Sequence, residues 1–244
     1  TRETSLERAI ELVLASPSLS ARDQHLLRLL SVLPAGVSAD DATDLFPQIR
    51  LVALSLGRLY EVGLVRSRAA GMSVLPIVAT YLGEHEATLE EDDVEVAATQ
   101  QRFTALALRH CADSGATGDT WLYAHLLNID EACRAAWPGA AQLATAIVRR
   151  DGFDLITAAI ADRAAEGADA TTADELLQRI DDPRIPWRVV ELRFVVILAV
   201  RENEGDRRKM AAALLAMSRA ASAHHWWSKA QQLGESSLAI YRDI

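Results

Sequence analysis

The sequence predicts a mainly α-helical protein that carries one small β-hairpin. Three observations support this. Hydroxyl residues followed three positions later by an acid mark successive helix starts. Two short β-like runs follow the most regularly striped helix. Beyond residue 89, amphipathic segments succeed one another with only short breaks.

The starts are Thr4-x-x-Glu7, Ser20-x-x-Asp23 and Ser38-x-x-Asp41. In each, the hydroxyl can accept from the orphan amides of the first turn and the acid can answer back. The first helix is expected to bury Leu6, Ile10, Val13 and Leu14 and to end before Pro17. The second buries Leu26, Leu27, Leu30, Val32 and Leu33 and stops at Pro34. The third runs from Asp40 to Phe46, before Pro47. The fourth spans Gln48 to Val62, with Ile49, Val52, Ala53, Leu56, Leu59 and Tyr60 on one face. Gly63 is placed to cap it in the left-handed conformation. Leu64–Arg68 and Met72–Leu75, separated by Ala69-Ala70-Gly71, form the hairpin, and Pro76 opens a last helix, Ile77–Gly83. Helices, then a hairpin wing, then a helix is the order of a winged-helix domain, here residues 1–88.

Residues 89–244 predict an α-helical hairpin or solenoid array. The acidic run Glu90–Asp93 is expected to be a solvated linker. Helices follow at Val94–Ala112, Thr120–Trp137, Ala140–Arg149, Phe153–Glu166, Thr172–Ile180, Trp187–Asn203, Asp206–Ala223 and Trp226–Arg242. Phe194–Val200 is β-branched, yet a buried helix is expected because no neighbouring segment offers a partner strand. Small residues at Ser218, Ala221, Ala230, Gly234 and Ser237 give the last pair a tetratricopeptide-like (TPR-like) character, without an exact 34-residue period.

Composition narrows the function. The 244 residues are half hydrophobic, with a net charge of −9, which opposes generic attraction to nucleic-acid phosphates or anionic membranes. The longest apolar run, Phe194–Val200, is far short of the roughly 20 residues a membrane span needs. Cys111 and Cys133 are expected to be buried free thiols in a reducing compartment. Gly115–Thr120 lacks the lysine of a phosphate loop and is expected to be a turn between helices. His224-His225 beside Trp226-Trp227 cannot close a metal shell and is expected to be a helix start packed by tryptophans. His110 and Cys111, adjacent on a helix, do not face each other as a nucleophile and base would. No catalytic constellation emerges, so no enzyme activity, metal or cofactor is expected of the chain itself. The chain begins at Thr1 and stops at Ile244 within an apparent helix, as a fragment of a larger cytoplasmic protein would, its array truncated at the C-terminus.

The fourth helix lies where a winged helix places its recognition helix. Its outer face is expected to be Arg50, Leu51, Leu54, Ser55, Arg58 and Glu61, with Arg66 and Arg68 on the wing. The arginines could meet phosphates, but Leu51, Leu54 and Glu61 better suit docking against a protein surface. The candidate partner-facing set is Arg50, Leu51, Leu54, Arg58, Arg66 and Arg68.

Ser5-Leu6-Glu7, Leu29–Ser38, Leu59–Val65 and Val74–Leu82 resemble the winged-helix domain of NB-ARC-type STAND NTPases, closest to the fungal branch. Leu126–Ala132 resembles the asparagine-containing segment that opens the helical repeats following such modules. The resemblance implies a non-catalytic regulatory and sensor part of a signalling switch. The winged helix would fold over an upstream domain of the same chain that holds ADP or ATP with Mg, and the repeats would bind a protein or peptide, or autoinhibit. The family's wing histidine maps near Met72–Val74, where this chain has Ser73. The implied nucleotide-facing residues are therefore Ser73, through a weaker hydroxyl contact, and Pro76, at the start of the next helix. Two alternatives come from the residues themselves: a winged-helix transcription activator with repeats, its Arg50, Arg58, Arg66 and Arg68 on DNA, and a helical peptide-binding scaffold.

Overall fold

A computed structural model describes residues 2–85, 90–150 and 153–244, with side chains from Ser5 in the first segment and from Asp93 in the second. Among the described residues there are fourteen helices and one two-stranded antiparallel sheet. The chain divides into two compact units, Thr1–Ala132 and Cys133–Ile244. The expected boundary at 88/89 and the expected break at Asp151-Gly152 lie outside the described residues.

The first unit contains α1 (Arg2–Leu14), α2 (Ala21–Ser31), α3 (Ala39–Leu45), α4 (Val52–Glu61), β1 (Val65–Arg68), β2 (Gly71–Val74) and α5 (Pro76–His85), then α6 (Glu90–Ala112), α7 (Ala116–Ala124) and most of α8 (Leu126–Arg134). Its core is the leucine cluster of α2, Leu26, Leu27, Leu29 and Leu30, with Leu33, Leu45, Phe46 and Leu59, all buried. Each such side chain contributes about 1.5–3 kcal/mol by leaving water. The capping box at Ser20 and Asp23 forms in both directions, and Ser38 caps α3 by accepting from the Asp41 amide. Thr4, by contrast, lies inside α1, and Leu6 is exposed rather than buried. Gly63 is left-handed at φ 76°, and the Leu64 amide closes α4 on the Leu59 carbonyl at 3.0 Å. Strands β1 and β2 pair Val65 with Val74, Arg66 with Ser73, Ser67 with Met72 and Arg68 with Gly71. Val37, in the α2–α3 loop, pairs with Met72 as a single-residue third strand.

Further helix starts in the first unit differ from expectation. The fourth helix begins at Val52 because Leu51 adopts a left-handed conformation (φ 58°, ψ 44°) and Ile49 closes a turn on Phe46 instead. Glu90–Asp93 lies in the first turn of α6 rather than in a linker. Gly115 is the N-cap of α7, so the expected turn over Gly115–Thr120 is largely helical. The single helix expected over Thr120–Trp137 is instead two, α7 and α8, with His125 as the C-cap between them.

In the second unit, α9 (Ala140–Arg149), α10 (Ala158–Gly167), α11 (Ala170–Gln178), α12 (Trp187–Glu204), α13 (Arg207–Ala223) and α14 (Trp227–Arg242) pack largely against sequence neighbours. Phe153–Ile156 has no regular secondary structure, with Phe153 and Ile156 buried, and the helix starts only after Thr157, whose hydroxyl accepts from the Ile160 amide. As expected, Phe194–Val200 is helical and largely buried, within α12. The fully enclosed Arg201 guanidinium is held by Asp174 and by Glu204. Helices α13 and α14 approach through small residues, with Ser218 Oγ donating to the Ala230 carbonyl and Ser237 Oγ to that of Ala211. Trp226 stacks on Trp187, yet both Trp226 and Trp227 remain more than half exposed. The two cysteines are not joined in a disulfide, and only Cys133 is buried, Cys111 being half-buried.

Candidate protein-interaction face

The residues expected to face a partner do not form one patch. Arg50, Leu51 and Leu54 gather at the start of α4, all exposed, Leu51 by 70% and Leu54 by 55%. The left-handed turn at Leu51 carries this display; such a conformation in a non-glycine residue costs about 1 kcal/mol or more. Arg22 braces it, its guanidinium donating to the Arg50 carbonyl at 3.3 Å.

Later along α4 the expected face is corrected in three places. Ser55 is buried, whereas Tyr60 and Ala53, expected in the core, are exposed. Val52, Ser55, Leu56 and Leu59, at helical spacing, form the buried stripe instead. Arg58 is not a free cation: its Nη2 donates to Asp23 Oδ1 at 2.8 Å. Asp23 is fully buried, its Oδ2 accepting from the Ser20 amide at 2.8 Å and the Ser20 hydroxyl at 2.7 Å. Burial alone would raise this carboxyl, but the donors from Arg58, Ser20 and Ser55 outweigh it and hold it well below the usual carboxylate range. Replacing Arg58 with methionine is expected to destabilise the first unit by about 3 kcal/mol, because a buried carboxylate loses its counter-charge. Urea denaturation at pH 7 measures this, and a loss under about 1 kcal/mol would mark the pair as an ordinary surface bridge.

On the hairpin, Arg66 and Ser73 are cross-strand partners. Arg68 is exposed; Arg66 is half-buried, with its Nε enclosed and unpaired. Ser73 is fully buried and its hydroxyl has no hydrogen-bond partner. Pro76 is the exposed first residue of α5, as expected.

Two features were missed by sequence reasoning. The buried Asn128 of α8 accepts from the Ala35 amide at 2.6 Å and donates to the Gly36 carbonyl at 2.9 Å, clamping the α2–α3 loop. The resemblance singled out its segment, but no local pattern announces the partners. The second is a stack in which Trp121 lies against His110 (4.2 Å between ring centroids) and His125 (3.9 Å). Its indole Nε1 donates to Asp41 Oδ2 at 3.1 Å. The Trp121–His125 spacing, four along a helix, was the available signal. Burial pushes the His125 imidazole below its ordinary 6.5, against the opposing pull of the Trp121 carbonyl and Asp41.

Among the described residues no group of three or more His, Cys, Asp or Glu is placed to hold a metal, and no helix is long and apolar enough to cross a membrane. Comparison with known protein families, with curated proteins and with solved structures finds no match to this chain.

Proposed function

We propose that this chain is a non-catalytic regulatory segment of a STAND-type NTPase. In it, a winged-helix domain packs on an upstream domain that holds ADP or ATP with Mg, and the following TPR-like helices take a protein or peptide. The observation that carries the proposal is the character of the α4 face. Leu51 and Leu54 are exposed beside Arg50, while Arg58 is committed to the buried Asp23. An apolar patch with a cationic edge suits a protein surface, and a duplex would find few phosphate contacts there. The order α2, α3, α4, hairpin, with Val37 pairing to Met72, supports the winged-helix assignment. Of the two nucleotide-facing candidates, the exposed Pro76 fits contact with an upstream domain better than the enclosed Ser73.

The test uses the parent protein. Leu51→Asp with Leu54→Asp is expected to loosen the lid and speed release of a fluorescent ADP analogue about tenfold, equivalent to about 1.4 kcal/mol. Unchanged release, or the absence of a phosphate loop upstream of Thr1, would overturn the proposal. The transcription-activator alternative predicts instead salt-dependent duplex binding that Arg50→Glu abolishes.

A further inference from the structure

A cleft of about 570 Å³ opens in the first unit between the hairpin tip, the start of α3 and α7. Its polar lining residues are Ser38, Asp40, Asp41, Thr117, Thr120, Trp121 and His125, with no arginine or lysine. Alanines at 69, 70, 116 and 124 form apolar walls.

The floor holds one unused acceptor beside a carboxylate. His125 Nδ1 lies 3.0 Å from the Trp121 carbonyl, which can only accept, so Nδ1 carries the proton and the neutral ring keeps its lone pair on Nε2. Nε2 is buried and without a hydrogen-bond partner, on a residue only 2% exposed. It faces Asp41 Oδ2 across 3.8 Å. That oxygen already accepts from Ser38 Oγ at 2.8 Å and from Trp121 Nε1. Two acceptors thus face each other, and Asp40 adds a second carboxylate at the mouth. A buried acceptor left unpaired costs about 1–3 kcal/mol, so the arrangement gains when a donor arrives.

The complementary group is positively charged, carries several N–H donors and has an apolar stem. A primary ammonium fits: its nitrogen can sit about 2.8 Å from both facing acceptors, with its methylenes along the alanine walls. A guanidinium, a planar fork, matches a bidentate carboxylate better than this point-like floor. We propose that the cleft binds a primary alkylammonium group, supplied by a lysine side chain of a polypeptide or by a free polyamine.

The test is an NMR titration of the full chain at constant ionic strength, following the indole N–H of Trp121, assigned with Trp121→Phe. The probes are N-acetyl-lysine methylamide and putrescine, with N-acetyl-norleucine methylamide as the uncharged control. A saturable shift with a Kd of about 1 mM is expected from at least one charged probe. The lysine analogue alone points to a polypeptide, putrescine alone to a polyamine. Asp40→Asn, at an exposed position, is expected to weaken binding about fivefold without moving Tm. Equal shifts from the norleucine control, no saturable shift up to tens of millimolar, or undiminished binding by a folded Asp40→Asn chain would overturn the proposal.

Discussion

Replacing Gly71 with alanine is expected to remove about 4 kcal/mol or more from the stability of the first unit, and Gly36→Ala to do the same. At these positions two backbones cross at close range. Gly71 has φ +120°, and a Cβ there would lie 2.0 Å from the Val37 carbonyl oxygen. Gly36 has φ +84°, and its Cβ would lie 2.2 Å from the Met72 carbonyl oxygen. Each glycine thus admits the backbone that the other's neighbour bonds: the Val37 amide donates to Met72 at 3.0 Å and the Met72 amide to Val37 at 2.8 Å. Neither clash can be relieved by rotating a side chain, so the third-strand pairing must separate. Gly63→Ala is the control. It too has positive φ, +76°, but its Cβ meets nothing within 4 Å, so only the conformational penalty of about 1 kcal/mol remains. Urea denaturation followed at the Trp121 indole isolates the first unit. A Gly71→Ala midpoint no lower than that of Gly63→Ala would refute the crossing.

Asn128→Ala is expected to cost about 3 kcal/mol in the same unit. It leaves two buried backbone groups, the Ala35 amide and the Gly36 carbonyl, without partners, each worth about 1–3 kcal/mol. Asn128→Asp is expected to do no better. It keeps an acceptor for Ala35 but sets a carboxylate oxygen against the Gly36 carbonyl. Hydrogen exchange at the Ala35 amide gives the second readout, protection falling by about two orders of magnitude for a loss of about 3 kcal/mol. Protection equal to that of the unsubstituted chain would refute the clamp.

What the sequence could disclose was local. Ser20 and Ser38 as caps, Gly63 and Pro76 each act within a few residues of themselves, and each stands where its chemistry predicts; Gly71, expected in the turn, is instead the first residue of β2. Ser55 turns inward and Tyr60 outward because the buried stripe of α4 is Val52, Ser55, Leu56 and Leu59, whereas the expected stripe was anchored on Ile49, which the left-handed Leu51 separates from the helix. Arg58 looked like a surface cation because Asp23, its partner, lies 35 positions away and had been assigned a capping role that it fills at the same time. Likewise the break at His125 and the non-helical Phe153–Ile156 go with tertiary burial, which overrides helical spacing. Of the candidate site, the exposure of Arg50, Leu51 and Leu54 was legible from the sequence; the burial of Ser73 and the capture of Arg58 were not.

The Asn128 clamp also has a consequence for the order in which the chain is made. Ala35 leaves the synthetic machinery 93 residues before the side chain that satisfies its amide. At roughly 5–20 residues per second, the interval is about 5–20 s. Until then that amide has only water as a partner, so burying the α2–α3 loop would leave it unpaired at a cost of about 1–3 kcal/mol. Slowing translation between residues 36 and 128 would prolong that exposure. The final burial of the α2–α3 loop is therefore expected to wait until α8 has emerged.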